Sequence, residues 1–353
     1  IRYFEKIPDK NDDDLKIPDV KLIRPNFIYI HDNKLHKFFY IKISYNKNSS
    51  YEIELKNLKE QLKKDLSKNE INKTNFKIKK STNNVRSNIS KQKFIKIVNK
   101  AKKYIASGDI FQVVLSQRFE KNLGKNPLDI YKKIRLTNPS PFLYYFNFSN
   151  FQIIGSSPEI LVRIRDKKIT IRPIAGTRKR GKNKIQDLRL AKSLLNDPKE
   201  LSEHLMLLDL GRNDVGRAAE DGSVKVDEKF KIEKYSHVMH IVSNVFGKFK
   251  NSMSVLDGLL CGFPAGTVSG APKIRAMEII DELENKKRKL YAGGVGYFSG
   301  NGDMDTCIAL RTALVKNKKI YVQAGAGIVA DSVPIKEYYE TVNKAKALLE
   351  AAK

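Results

Sequence analysis

The spacing of apolar positions changes several times along this chain, and each change marks an element. In residues 1–45 apolar and polar residues alternate in short runs, at 21–24, 27–31 and 37–45. The last run, KFFYIKISY, is a strand pattern, with Asp32, Asn33 and Lys34 supplying the turn before it. From 51 to 66 the period lengthens to that of an amphipathic helix. Residues 67–90 are polar and rich in Lys, Asn and Ser, which predicts a connector and a division into 1–89 and 90–353.

In the larger part, Ser90 caps a helix ending near Gly108, a buried strand at 110–119 carries Gln112, Ser116 and Gln117, and 126–136 is helical. A rigid turn at 138–141 leads to a strand at 142–148, then a hairpin of 152–155 with 159–165, then a strand at 168–173. The stretch DPKELSEHLMLLDLGRND predicts a helix over 197–208, with Asp197 as N-cap, Pro198 at its first position and Glu200 three residues after the cap. A strand at 244–249 and a helix at 254–262 follow. The glycine- and proline-punctuated loop FPAGTVSGAPK then feeds a helix at 272–284, with Ser269 or Gly270 near its cap. Strands at 295–299 and 305–315 form a hairpin, a strand at 320–323 ends in Ala324-Gly325-Ala326-Gly327, and 334–352 is the closing helix. Meandering strands with peripheral helices and no βαβ alternation predict an α+β fold.

Composition narrows the function classes. With 41% hydrophobic residues and 20 glycines among 353 residues, the chain is globular. No apolar run reaches the roughly 20 residues of a membrane helix, and no signal peptide opens the sequence. Cys261 and Cys307 form no disulfide framework and have no metal-ligand spacing, which favours a reducing, cytoplasmic compartment. The first residue is Ile1, within what reads as folded sequence, which predicts a preceding segment. The formal charge of +28 raises the alternative of a nucleic-acid-binding protein. The lysines are dispersed, however, and no basic motif interleaved with aromatics is present, so charge alone argues about solubility more than about a partner.

Three groups of residues are candidates for chemistry. Glu200 and Glu203 lie one turn apart on the predicted helix, and Glu337 and Glu340 repeat that spacing on the closing helix, in one polar stripe with Thr341 and Lys344. Two such pairs suit a hard divalent cation if they meet; otherwise they are solvated helix faces, with Glu200 closing a capping box. The loops FPAGTVSGAPK and AGAGIVADS put bare amides near helix starts, where an anion is stabilised, although each alone is more often a tight turn and neither is a nucleotide-binding motif. Arg311, read as lying on the strand between them, offers a fork for a carboxylate or an ordinary salt bridge. Glu159 at the predicted hairpin and His240, three residues after His237, are acid–base candidates, with a satisfied core histidine as the plain reading of His240. No Ser/His/Asp or Cys/His arrangement is present.

Taken together, GDIFQVVLSQRF, GSSPEILVRI, RPIAGTRKRG, EHLMLLDLGRNDVGR, VMHIVSNVFG, FPAGTVSGAPK and GAGIVADSVPIKEYYETVNKA resemble, in this order, the chorismate-utilising enzymes. The likeness is greatest to the large subunit (component I) of anthranilate synthase. It is strong over residues 90–350, and 1–45 look like the end of that family's N-terminal portion. The resemblance implies a sandwich of two large antiparallel β-sheets flanked by helices. It implies Mg²⁺ held directly by Glu203 and Glu340 and through water by Glu200 and Glu337. It also implies Glu159 as the acid that protonates the departing 4-hydroxyl of chorismate as ammonia adds at C2, with His240 and Thr267 lining the site during pyruvate elimination. Tyr291, Arg311 and the amides of Gly325, Ala326 and Gly327 are implied to bind the enolpyruvyl carboxylate, with Thr177 and Lys344 as further substrate contacts.

Two positions separate the members of that family. Where its water-adding members resemble each other in carrying a lysine, this chain has Gln112. Where aminodeoxychorismate synthases usually read PIKGT, it reads Pro173-Ile174-Ala175-Gly176-Thr177, without the nucleophilic lysine. Both positions favour anthranilate formation over isochorismate or aminodeoxychorismate synthesis. The resemblance further implies ammonia delivered by a separate glutamine amidotransferase subunit, free ammonia serving as well, and tryptophan as feedback inhibitor. The NPSPY-type turn of the inhibitory site is present at 138–143, whereas its LLES-type segment is not in this sequence.

Overall fold

In the computed structural model, residues 1–2, 5–45, 50–67, 84–235 and 238–352 are described. They form two compact units, Ile17–Lys77 and a larger one of Ile1–Lys16 with Ile78–Lys353. In the smaller unit β1 (Phe27–Asp32) and β2 (Lys37–Lys42) pair antiparallel, Phe27 opposite Lys42. Asp32 Oδ1 accepts the amides of Lys34 and Leu35 to close their turn, and α1 (Tyr51–Ser67) follows. Most of the predicted connector, 68–83, lies outside the described residues, as does His237.

The first sixteen residues join the larger unit. Ion pairing accounts for this: Arg2 meets Asp281 at 2.8 Å, Asp14 meets the buried Arg118 at 2.6 Å, and Asp13 meets Lys289 at 3.0 Å.

Local sequence signals set the first elements of the larger unit. After β3 (Arg86–Ser87), Ser90 caps α2 (Lys91–Ala106) by accepting from the Lys93 amide. β4 (Gln112–Asn122) leads to α3 (Pro127–Thr137), where Asn126 caps and proline opens the helix. There follow β5 (Phe142–Phe148), β6 (Phe151–Ser157), β7 (Ile160–Arg165), β8 (Lys168–Ile171) and β9 (Ile174–Lys179). Next come α4 (Lys184–Leu195), α5 (Pro198–Ala218), β10 (Lys225–Lys234), β11 (Val238–Lys248) and α6 (Val255–Gly262). The chain closes through β12 (Gly270–Ala271), α7 (Lys273–Leu283), β13 (Gly294–Phe298), β14 (Met304–Ile308), β15 (Thr312–Lys316), β16 (Lys319–Ile328) and α8 (Pro334–Ala351).

The fold is α+β, with two seven-stranded antiparallel sheets among the described residues. The first runs β10-β11-β8-β7-β14-β13, with β9 also on β11; the second runs β12-β4-β16-β15-β6-β5, with β3 also on β4. Leu208, Val215 and Ala218 of α5 and Cys261 of α6 pack on the first sheet through Leu161, Ile164, Ile169, Val245 and Met304. α2 and α7 cover one part of the second sheet, α3 and α8 another.

Four expectations are corrected by this topology. The stretches 152–155 and 159–165 are not a hairpin, because β6 belongs to the second sheet and β7 to the first. The single strand expected over 305–315 is two, β14 and β15, again in different sheets, and Arg311 stands at the crossing with φ +46° instead of on a strand. The Gly325–Gly327 stretch does not end a strand but continues β16 to Ile328 along β4. Ser269 and Gly270 do not cap α7, whose N-cap is Pro272 without a side-chain bond. Gly270 (φ +140°) begins β12, so close to β4 that a Cβ would sit 2.2 Å from the Gln112 carbonyl oxygen.

Candidate active site

The two sheet crossings lie side by side. The Ile308 amide donates to the Glu159 carbonyl at 3.0 Å, and the Ser156 amide to the Arg311 carbonyl at 3.2 Å. Strands that leave one sheet for another open a gap between them, and this gap is the end of a cavity of about 580 Å³. It is lined by Gln112, Glu159, Thr177, Glu200, Glu203, His240, Thr267, Tyr291, Arg311, Gly325, Gly327, Glu337, Glu340 and Lys344, residues that sequence reading singles out from well-separated stretches of chain. The volume suits a small organic ligand. Ala326 is the exception: it is fully buried in the core under α2 and α7.

Strand alternation explains why Ala326 departs from its neighbours. Val114 and Ser116, which lie opposite Gly327 and Gly325, turn their amides away from β16, to the Ser269 carbonyl and the Glu284 carboxylate. The polar groups of Gly325 and Gly327 therefore point away from β4 as well. β15 has already left, since its pairing with β16 ends at Val322. The Gly325 amide bonds the Tyr291 hydroxyl, and its carbonyl accepts Lys344 Nζ at 3.1 Å. Ala326 faces the other way on both counts.

Glu159 is the most perturbed acid in the cavity. It is 7% exposed, and burial pushes its carboxyl up to about 8, opposed only in part by Thr267, Arg311 and Lys344. The buried Thr267 hydroxyl is nearby without hydrogen-bonding geometry to any partner. Arg311 has its own protonation weakened by burial, and its guanidinium makes no ion pair among the described residues. It is a partly buried cation that suits a ligand carboxylate. His240, on β11, keeps Nδ1 within 2.9 Å of the Gly176 carbonyl and 3.1 Å of the Thr177 hydroxyl. A carbonyl only accepts, so Nδ1 carries the proton and Nε2 is the free acceptor; burial lowers the affinity of the ring for a second proton. Tyr291 is raised to about 12 by burial, against the neighbouring Arg288.

Four carboxylates approach from two helices. Burial raises Glu203, and Glu200 and Glu340 raise it further; burial raises Glu337, and Glu340 adds to it. Two of the four have cationic partners, Glu200 with Arg178 at 2.9 Å and Glu340 with Lys344 at 2.7 Å. Glu203 accepts only a weak bond from Gln112 Nε2 at 3.3 Å, and the Oε1 of Gln112 is buried without a partner. Among the described residues, no three of His, Cys, Asp and Glu stand close enough to hold a metal ion by themselves.

Sequence reading misses Lys199 and Ser332. Lys199 lines the cavity and weakens the charge repulsion on Glu203 and Glu337, and Ser332 bonds Glu337. The signals were adjacency to Glu200 in the first turn of α5, and a hydroxyl just before the proline that opens α8.

Residues 1–350 match the family described as chorismate binding enzyme. The chain is 51% identical to anthranilate synthase component 1 of Aquifex aeolicus over 99% of its own length and 72% of that protein's. Its fold superposes on the crystal structure of anthranilate synthase component I from Streptococcus pneumoniae with a TM-score of 0.90 at 41% identity, covering 99% of this chain and 78% of that one. The menaquinone-specific isochorismate synthase of Escherichia coli is more distant, with a TM-score of 0.71 at 25% identity over 77% of this chain and 63% of that one. The chain belongs to the chorismate-binding enzyme family, within the group of anthranilate synthase component 1.

Proposed function

We propose that this chain is a lyase converting chorismate and ammonia into anthranilate and pyruvate, and that it requires Mg²⁺. The observation that carries the reading is Glu159: a buried carboxyl that stays protonated near neutral pH, facing the same cavity as an unpaired guanidinium and four carboxylates. Membership of the anthranilate synthase component 1 group supports the same choice.

The donor set fits a hard cation. Glu203 and Glu337 are raised first by burial and then by the neighbouring carboxylates, and every donor, including the unpartnered Oε1 of Gln112, is oxygen. Glu203 and Glu340 would hold Mg²⁺ directly, with Glu200 and Glu337 acting through water. The cation supplies positive charge that holds and neutralises the ring carboxylate of the substrate.

Arg311, Tyr291 and the outward amides of Gly325 and Gly327 take the enolpyruvyl carboxylate, with Thr177 and Lys344 at the margins. Glu159 gives its proton to the 4-hydroxyl, which departs as water as ammonia bonds C2. Neutral His240, with Nε2 free, accepts a proton at the elimination stage, beside Thr267. Gln112 is a carboxamide and cannot deprotonate water, and Ala175 cannot form a covalent adduct, so ammonia is the nucleophile. A glutamine amidotransferase subunit is the proposed source of ammonia, with tryptophan as a regulatory ligand. The two buried free cysteines agree with a cytoplasmic setting.

The test is an incubation of the protein with chorismate, Mg²⁺ and an ammonium salt. Fluorescent anthranilate is the expected product; isochorismate or 4-amino-4-deoxychorismate in its place overturns the reading.

A further inference from the structure

Glu159 and Thr267 border a second, smaller space. It measures about 30 Å³ and extends from Glu159 along α5, past Leu207 and Gly211, to Asp214. A water needs about 10–15 Å³ of such space, so about two fit. Its lining mixes polar groups, Arg172 among them, with apolar side chains. At one end are the Glu159 carboxyl and the buried Thr267 hydroxyl, which has no partner. At the other, Asp214, 8% exposed, holds Lys273 Nζ at 2.8 and 2.7 Å from its two oxygens. Leu161, Ile171 and Leu207 wall the space between.

We propose that this space holds ordered water joining Glu159 to the Asp214–Lys273 pair, and that the path returns a proton to Glu159 after each turnover. The second half rests on Glu159 being the general acid. Substrate closes the large cavity in front of Glu159, so a carboxylate left there has no bulk water beside it, and the small space is its other exit. The steps balance. The O–H bond of Glu159 breaks as its proton joins the departing hydroxyl, which leaves as water. The carboxylate takes a proton from the adjacent water, that water from the next, and the last from the Lys273 ammonium that Asp214 holds, which solvent reprotonates. The ammonium formed at C2 sheds one proton to solvent, so nothing is consumed net. Asp214 is a positioning residue that holds Lys273 at the end of the path, and it does not touch substrate.

Two measurements test this. A crystal structure of the whole chain at a resolution that resolves water should show one or two waters within about 2.6–3.2 Å of the Glu159 and Asp214 oxygens. A dry space, or waters that do not reach both ends, overturns the proposal, and this holds whatever reaction the protein catalyses. In kinetics, Asp214→Asn should lower kcat at least about tenfold while the KM for chorismate stays within about twofold, with a larger solvent deuterium effect on kcat. An unchanged kcat, or a loss confined to KM, refutes the relay. If the unpaired Lys273 prevents folding, Asp214→Asn with Lys273→Met removes both charges, and the same kinetic criteria apply. Failure of the wild-type protein to make anthranilate would count against the proposed reaction, whereas the water measurement would still decide the path.

Discussion

Gln112 donates from Nε2 to Oε1 of Glu203 at 3.3 Å, so a strand of the second sheet and the helix packed on the first meet at one carboxylate. A neutral amide orients that carboxylate without cancelling its charge. A lysine at 112 would instead form an ion pair with Glu203 and compete with a cation for it. Gln112→Lys should raise the Mg²⁺ concentration for half-maximal activity about tenfold, equivalent to about 1.4 kcal/mol. A Mg²⁺ titration of anthranilate formation checks this, and an unshifted curve would exclude Glu203 as a ligand.

Glu340 separates function from fold. Its side chain is 45% exposed and, among the described residues, its only ion pair is with Lys344, one turn along α8. Such a pair contributes about 0.3–0.5 kcal/mol, so Glu340→Gln should move Tm by no more than a degree or two. Turnover should nevertheless fall more than about a hundredfold, because a direct ligand to the activating cation is lost. Retained activity at saturating Mg²⁺ rejects the metal role.

What was legible in the sequence, and what was not, follows from where the physical signal lies. Capped helices such as α2, α3 and α6 were readable because Ser90, Asn126 and Ser254 do locally what their types suggest. α5 runs ten residues beyond its expected end at Leu208: Gly211 and Gly216 look like helix stops, yet a Cβ at Gly211 would only touch Val245, Ile171 and Pro173 at 3.6–3.8 Å. β9, α4 and β10 were not identified; IAGTRK and KVDEKFKIEK carry few apolar positions, and the pairing of both strands with β11 decides their state. Spacing and residue type singled out the paired glutamates, Arg311, Glu159 and His240 beside plainer readings, and the family's motifs supplied their roles and the remaining residues. Glu159 and Arg311 occupy sheet crossings, which periodicity cannot distinguish from hairpins or continuous strands.

The pH dependence should have a sharp alkaline limb. Glu159, raised to about 8 by burial, must be protonated to act, so kcat/KM should fall about tenfold per unit above that pH. Glu159→Gln should cost about 10²–10⁴ in kcat. The linkage has a definite sign. A carboxyl raised in the folded state contributes stability below its unfolded value, and that contribution is lost as pH rises towards about 8. The Tm of Glu159→Gln should therefore gain on that of the wild type between pH 5 and 8. A constant difference would mean that residue 159 is not the buried acid.

Among the described residues Arg311 has no ion-paired carboxylate to release before it binds one from substrate. A hydrogen bond to a charged group contributes about 1.5–3 kcal/mol, so Arg311→Ala should raise KM for chorismate by about 10- to 150-fold. Arg311→Lys should recover little of this, since an ammonium cannot make the two-pronged contact. Full recovery by lysine would show that charge alone matters there.

Gly325 and Gly327 look interchangeable in sequence, but the contacts that a methyl group would meet distinguish them. A Cβ at Gly325 would lie 2.6 Å from the Tyr291 hydroxyl and 3.0 Å from the Leu115 carbonyl oxygen. The backbone carbonyl is fixed in β4, so Tyr291 must yield and give up its bond to the Gly325 amide. Overpacking of this kind costs about 1–3 kcal/mol, and Gly325→Ala should lose stability together with chorismate affinity. A Cβ at Gly327 would meet only Gln112, with Nε2 at 2.5 Å, and the end of a flexible amide can swing aside. Gly327→Ala should therefore keep its Tm while breaking the Gln112–Glu203 contact, weakening activation by Mg²⁺ more than it raises KM. Thermal melts and paired titrations with chorismate and Mg²⁺ on the two variants check this. Identical behaviour would mean that the bare edge of β16 acts only as space for substrate, and that the orientation of Glu203 by Gln112 has no part in catalysis.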